Sequence, residues 1–406
     1  VKRVVVTGIG AVSALGGDAA TTWQALAAGR CGIAAISRFD ARTFAVRQAG
    51  EVRAALAVPA ESAAAARRDP RIAFAWHAAD AALDQAGIAR LDAGCELHLG
   101  VSLEVFDPAA TVADGRADFA AAARRVLAGS EPLQVPLDHA ARLIARHRGR
   151  PRRSQTCCSA CTAAAQAIGA GFRAVRAGRC ALALCGGSDS LVNPLAVGGF
   201  HLLGALATGT AGCRPFDRAR SGTVLGEGAA LLVLEEREHA RARGAAILGE
   251  VLGYGSSLDA AGASAPDPEG RGAEAAMRAC LADAGLGPEG VGQLAAHGTG
   301  TILNDEAEAR AIRRVFPGWR GLPVSATKGA TGHAIAAAGA LQALACLASL
   351  RDGRLAPTVG LEQVAEGCEL DHVTAPGRRH DGRPALANTF GFGGQNACLL
   401  YGRGDA

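Results

Sequence analysis

Residues 180–185 read Cys-Ala-Leu-Ala-Leu-Cys and are closed by Gly186-Gly187. A short, unbroken apolar run bounded by glycines predicts a strand covered on both faces, which needs a layer of helices on either side. Residues 96–102, 229–235 and 245–254 predict further strands, and the opening Val1-Lys2-Arg3-Val4-Val5-Val6-Thr7-Gly8 reads as a buried strand running into a turn. Between them, 71–87, 159–177, 271–285 and 333–351 have helical character. This alternation predicts a layered α/β fold with central sheets. Residues 107–150 are Ala/Arg-rich with weak strand signals and read, like 63–68, as surface helices and loops. Punctuation at 237–244 divides the chain into two halves.

A chain of 406 residues, 49% hydrophobic, can bury a large core. Its net charge of +4 is spread along the chain, and aromatics are only 4%. Neither the basic stripe nor the stacking platform of a nucleic-acid binder is present. No N-terminal targeting signal and no apolar run of roughly 18 residues is evident, so the expectation is a cytoplasmic protein without a membrane segment. Its 12 cysteines are expected to be reduced and mostly buried as small hydrophobes. Gly8-Ile9-Gly10 follows the first strand, but Ser13 occupies the third glycine position of a dinucleotide fingerprint and no acidic partner follows. A tight turn is the better reading.

Gln155-Thr-Cys157-Cys158-Ser-Ala-Cys161 concentrates three cysteines. Zinc needs four ligands, whereas adjacent cysteines on an extended chain diverge and no second pair completes a site. The Cys158-x-x-Cys161 spacing lacks the setting of a thioredoxin-like redox pair. A purely structural role in the core is the third alternative, and the remaining reading, a nucleophile, is the one favoured. With 153–156 as a strand end and 159–177 as a helix, Cys158 falls at a strand-to-helix elbow, where a helix N-terminus stabilises a thiolate. Cys157 and Cys161 are then packing residues.

Two histidines stand in similar company. His297 ends Leu294-Ala-Ala and enters Gly-Thr299-Gly-Thr301, with Asp305 and Glu308 following; His333 follows Thr-Lys328-Gly-Ala-Thr-Gly. Placed at a helix start near Lys328, His333 is expected to be neutral. Asn388-Thr-Phe390-Gly-Phe392-Gly393-Gly-Gln-Asn396 suits a flap or a loop of backbone donors.

Taken with VVVTGIGAVSALG, CGGSDSLVNPLAVGGF and RPFDRARSGTVLGEGAALLVLEE, these motifs resemble the elongating β-ketoacyl-acyl-carrier-protein synthases of the type I/II condensing enzymes. The similarity covers nearly the whole chain and is weakest over 102–153. It implies an α/β, thiolase-like five-layer α-β-α-β-α fold of two similar halves, here 1–245 and 246–406. It also implies an acyl carrier protein as partner, a homodimer and no metal or cofactor. By resemblance Cys158 is the acyl-accepting nucleophile, His297 and His333 the decarboxylation pair, and Lys328 their support. Phe392 is the gate and shares an oxyanion hole with the Cys158 N–H. Thr299 and Thr301 meet the phosphopantetheine arm, Phe200, Phe390 and Gly393 line the substrate site, and Asp305 and Glu308 brace the loops.

Two positions depart from the family pattern. Gln342 replaces a glutamate expected beside Lys328. Gly204 replaces an arginine that faces the carrier, which shifts the docking expectation to Arg67, Arg68 and Arg71, or to Arg124 and Arg125. The divergent 102–153 segment points to polyketide or polyene assembly rather than housekeeping fatty acid elongation. An active subunit paired with a chain-length-factor-like partner, and a non-catalytic scaffold, are the alternatives.

Overall fold

The computed structural model describes residues 2–103 and 135–404, together with 112–113, 116–117 and 124. Most of the divergent segment, and Arg125 with it, lies outside these residues. Eleven strands form one sheet: β1 (Val4–Ser13), β2 (Cys95–Val101), β3 (Arg153–Cys158), β4 (Leu182–Ser190), β5 (Glu227–Glu236), β6 (Gly249–Leu258), β7 (Gln293–Ala295), β8 (Pro323–Ser325), β9 (Asp371–His372), β10 (Ala385–Gly391) and β11 (Gln395–Gly402). The helices of nine or more described residues are α1 (Ala19–Ala27), α2 (Arg71–Gln85), α3 (His139–His147), α4 (Ala163–Arg176), α5 (Pro194–Leu202), α6 (Arg271–Ala284), α7 (Ile302–Val315) and α8 (Ala338–Asp352).

The strand order is β9-β8-β7-β10-β11-β6-β1-β5-β4-β2-β3. From the N-terminal edge, β3, β2 and β4 run parallel, and β5 and β1 follow antiparallel. Strands β8, β7, β10, β11 and β6 repeat that order and sense. Each five-strand set therefore has the sequence order third, second, fourth, fifth, first. The sets meet where β1 pairs antiparallel with β6, Val5 opposite Glu250; the one continuous ladder thus supplies two layers, the first sheet (β1 to β5) and the second sheet (β6 to β11). We propose that the halves divide near residue 245, in the connection before β6; the repeated topology supports it.

Two outer apolar cores and one central core hold five layers together. Helices α2 and α3 cover one face of the first sheet through Ala78, Ala82 and Ile144. Helices α6 and α7 cover the outer face of the second through Met277, Ile312 and Val315. Helices α4 and α8 fill the middle and touch both sheets. Alternation along β4 fits this: Leu182 and Leu184 face the outer core, Ala183 and Cys185 the central one. Small residues dominate the centre because α4 and α8 approach closely; a Cβ on Gly339 would sit 2.9 Å from the Ala165 nitrogen.

Two expectations change. Gly186-Gly187 does not end β4, which runs on to Ser190. A side chain at Gly186 would meet the Ala230 carbonyl oxygen at 2.1 Å, and one at Gly187 the Ala336 oxygen at 2.5 Å. These glycines permit close backbone approach inside a strand. Residues Ile335–Asp352 are long and apolar enough to cross a membrane by length and composition, contrary to the sequence expectation. They are 89% buried between the sheets, so their apolar character serves the core.

Candidate active site

Strand β3 is two residues longer than the sequence suggests, because its pairing with β2 continues to Val101 opposite Cys158. Cys158 therefore ends the strand at an exposed position, and its Sγ donates to the Ser102 carbonyl at 3.2 Å. The elbow comes after it. Ala160 takes φ +48°, and one 3-10 turn, Ala160–Thr162, leads into α4. The Thr162 hydroxyl donates to the Ser159 carbonyl at 2.8 Å and closes the turn. A non-glycine residue in the left-handed region costs roughly 1–2 kcal/mol. That strain lifts the next side chain, Cys161, off the sheet and into a cavity of about 360 Å³. The nucleophile expected at Cys158 is thus corrected by geometry: the thiol facing the histidines belongs to Cys161, which the sequence reading treated as packing.

His297 follows β7 by two residues. Its N–H and that of Gly298 each donate to Glu308 at 2.8 Å, and the Thr299 and Gly300 N–H groups reach Asp305 at 3.1 and 3.2 Å. Asp305 and Glu308 lie on the first turns of α7 and brace this loop as expected. Gly298 holds φ +43°, and a Cβ there would press 2.6 Å from that of Ala326. The Lys328 ammonium donates to the His297 carbonyl and lies 3.2 Å from its Nδ1. An ammonium has no lone pair, so His297 Nδ1 accepts and its proton sits on Nε2.

His333 does not begin a helix: a 3-10 turn, Ile335–Ala337, intervenes before α8. The Ile335 N–H donates to His333 Nδ1 at 3.2 Å, which again leaves the proton on Nε2, and that atom lies 3.1 Å from Cys161 Sγ. The two rings stand 5.4 Å apart between centroids, at 81°. Both histidines are held well below the usual imidazole range, by burial and then by the Lys328 charge. Burial, rather than the helix terminus of the sequence reading, is the main cause. Burial pushes the Cys161 thiol up to about 12, while the Lys328 charge and the N–H groups of Phe392 and Cys161 pull it down. Burial lowers Lys328, against the attraction of Glu308, and burial raises Glu308, against the N–H donors of Gly298, His297 and Asn388.

Phe200, His297, Thr299, Thr301, His333, Phe390 and Phe392 line the cavity with Cys161. Phe392 stacks on Phe200 with centroids 5.9 Å apart, so the expected gate rests on a second aromatic. Thr299 and Thr301 share a hydrogen bond of 2.8 Å. Gly393 is not a lining residue; at φ +84° its N–H donates to the Ala263 carbonyl and shapes the flap. Leu203, Ile302 and Leu303, which sequence reasoning missed, line the cavity with exposed apolar side chains. Gly204 is there too.

Arg71 is removed from the docking set. It is buried, paired bidentately with Asp69, and donates to the Leu103 carbonyl at 2.7 Å. Arg67 is exposed and Arg68 half-buried on the short helix Ala63–Arg68; Arg124 is exposed. Gln342, buried on α8, donates through Nε2 to the carbonyls of Ala296 at 2.8 Å and Asn388 at 3.0 Å, so it ties strand ends together.

The donor atoms of Cys161, His297 and His333 lie within 4.8 Å of one another. A metal ion would need the Nε2 lone pairs, yet both Nδ1 atoms already accept hydrogen bonds and the Lys328 charge is adjacent. The cluster presents N–H donors to the cavity and suits an anion.

A thiol facing two neutral N–H donors inside a five-layer α-β-α-β-α fold defines a thiolase-like condensing enzyme. The comparisons agree. Residues 1–240 match the β-ketoacyl synthase N-terminal domain and 248–362 the β-ketoacyl synthase C-terminal domain. The chain belongs to the β-ketoacyl synthase family, and is an acyltransferase-type enzyme. It is 36% identical to 3-oxoacyl-[acyl-carrier-protein] synthase 2 of Synechocystis sp., over 98% of each chain. Its fold is similar to the ishigamide ketosynthase/chain length factor, with TM-score 0.87 and 33% identity over 99% of each chain. It is also similar to a type II polyketide synthase ketosynthase solved with its acyl-carrier protein, with TM-score 0.84 and 26% identity over 99% of each chain.

Proposed function

We propose that this protein joins an acyl group, carried on Cys161, to a malonyl unit on an acyl carrier protein and releases a 3-oxoacyl thioester. The Cys161 thiolate attacks the incoming thioester carbonyl. The carrier thiolate leaves and takes a proton, and the acyl group stays on sulfur. The Cys161 and Phe392 N–H groups hold the tetrahedral oxyanion; one such donor lowers a barrier by about 3 kcal/mol. Malonyl thioester then enters past Phe392. Its bond to carbon dioxide breaks, and the electron pair becomes an enolate whose oxygen takes the two Nε2–H groups. The enolate carbon attacks the acyl carbonyl, the new carbon–carbon bond forms, and Cys161 leaves as thiolate. No cofactor enters this balance.

The observation that carries the reading is Cys161 Sγ 3.1 Å from His333 Nε2, with both histidines fixed as Nε2–H donors. The test is intact-protein mass after mixing with a panel of acyl-carrier thioesters, then a malonyl-carrier chase. Acylation of the wild type that the chase discharges supports condensation. Acylation without discharge points to a missing subunit, and no acylation by any donor favours a scaffold.

We read the pathway as polyketide or polyene assembly and the protein as a cytoplasmic homodimer. The similarity to the ishigamide ketosynthase/chain length factor supports the first and equally favours a second reading, an active subunit beside a chain-length-factor-like partner. Strand β3 supports a dimer, because it is a sheet edge with exposed Arg153 and Ser154 that a second chain would cover. Native mass of the protein alone, and after co-expression with its genomic neighbours, separates the two.

A further inference from the structure

Two buried carboxylates stand behind the two histidines. Glu308 holds the His297 backbone. The other, Asp189, is the penultimate residue of β4 and fully buried. Its Oδ2 accepts the Ala336 N–H at 2.9 Å. Its Oδ1 accepts the Ser102 hydroxyl at 2.8 Å and the Ser190 N–H at 2.9 Å. Burial raises Asp189 to about 6, against the attraction of Arg71 and these donors.

Ala336 follows the residue that sets the His333 tautomer. The Ile335 N–H donates to His333 Nδ1, and Ile335 itself takes φ +37° as the chain turns on to Ala336. A β-branched residue avoids that region and persists there only where its surroundings over-determine it. Gly187 brings β4 against the same turn, and Asp189 fastens the turn's next N–H. The connection therefore runs from Asp189 through Ala336 and Ile335 to the ring, and ends at the Nε2–H facing Cys161.

We propose that Asp189 is a positioning residue for condensation: it holds the 335–337 turn in the conformation that keeps His333 a neutral Nε2–H donor. The inference rests on the reading that this donor stabilises the enolate. Asp189→Asn keeps the shape but sets an amide NH2 against either Ala336 N–H or the Ser102 and Ser190 donors.

The experiment pairs two readouts on the full-length protein. Long-range 1H–15N correlation of the histidine side chains should show His333 as Nε2–H in the wild type, with an Nδ1–H population appearing in Asp189→Asn. Release of carbon dioxide from malonyl-carrier thioester should fall at least tenfold, while acylation of Cys161 changes less than threefold. Either readout unmoved, or both chemical steps falling by the same factor, overturns the proposal. If Asp189→Asn does not fold, Ser102→Ala carries the test, since it removes one of the two donors that hold the other carboxylate oxygen: a loss of threefold or more confined to decarboxylation supports the proposal, and no loss overturns it. A wild type that neither accepts acyl groups nor decarboxylates would sink the functional reading, while the tautomer comparison would still judge the positioning.

Discussion

At the scale of single residues, Cys158 and Cys161 differ in what surrounds the sulfur. Cys158 faces a carbonyl at the sheet edge, and Cys161 faces an imidazole N–H, a lysine charge and two backbone donors. Cys161→Ala is expected to abolish acylation in the intact-mass assay, and Cys158→Ala to keep the rate within about threefold. Because burial raises the Cys161 thiol, the acylation rate should climb through pH 7–9 rather than level off near 7; a flat profile would mean the thiolate is already formed. The histidines set a second pH effect. Their folded values lie well below the unfolded value of about 6.5, so below that pH the unfolded chain binds more protons and stability falls. Each contributes up to about 1.4 kcal/mol per pH unit in that window. Urea unfolding at pH 7.0 and 5.5 should show the wild type losing more stability than His297→Asn/His333→Asn. Equal losses would show that other groups govern acid sensitivity. The residue types of His297, His333 and Lys328 were legible from their strand-end loops. The partners that fix their tautomers were not, because the Lys328 ammonium and the Ile335 N–H reach the two Nδ1 atoms only in the folded chain.

At the scale of elements, the elbow between β3 and α4 is strained at Ala160 and the turn before α8 at Ile335. Glycine adopts positive φ freely but costs roughly 0.5–1 kcal/mol of unfolded-state entropy. Against a left-handed penalty of roughly 1–2 kcal/mol, Ala160→Gly should raise the melting temperature by a degree or two and leave acylation intact. Ala160→Val should lower both, because a β-branched residue fits that region worse still. A melting temperature unchanged by either would remove strain from the account of the elbow. Strand and helix existence was readable from apolar runs and their spacing; their ends were not. Ladder pairing with β2 decided the end of β3, and close approach of Ala230 and Ala336 explained the glycines inside β4.

At the scale of the whole molecule, the site exists only where the halves meet. Cys161 comes from the first sheet's edge, His297 and His333 from loops of the second, and α4 and α8 hold them in register across the central layer. Gly339→Val would force those helices apart; overpacking of this kind costs typically 1–3 kcal/mol. It should depress unfolding stability by that amount and slow acylation and decarboxylation together. A loss of stability with both steps intact would show that the site tolerates movement between the halves.

The layered α/β class, the neutral histidine pair, the lysine and the aromatic flap followed from the sequence, because apolar runs and Gly/Thr loops at strand ends are local patterns. The choice of thiol, the burial of Arg71 and the part played by Asp189 depended on tertiary structure. A strand's length is set by the neighbour it pairs with, a side chain's access by what packs over it, and a histidine's tautomer by donors distant in sequence or held in a strained turn. None of these is written in the few residues around a motif.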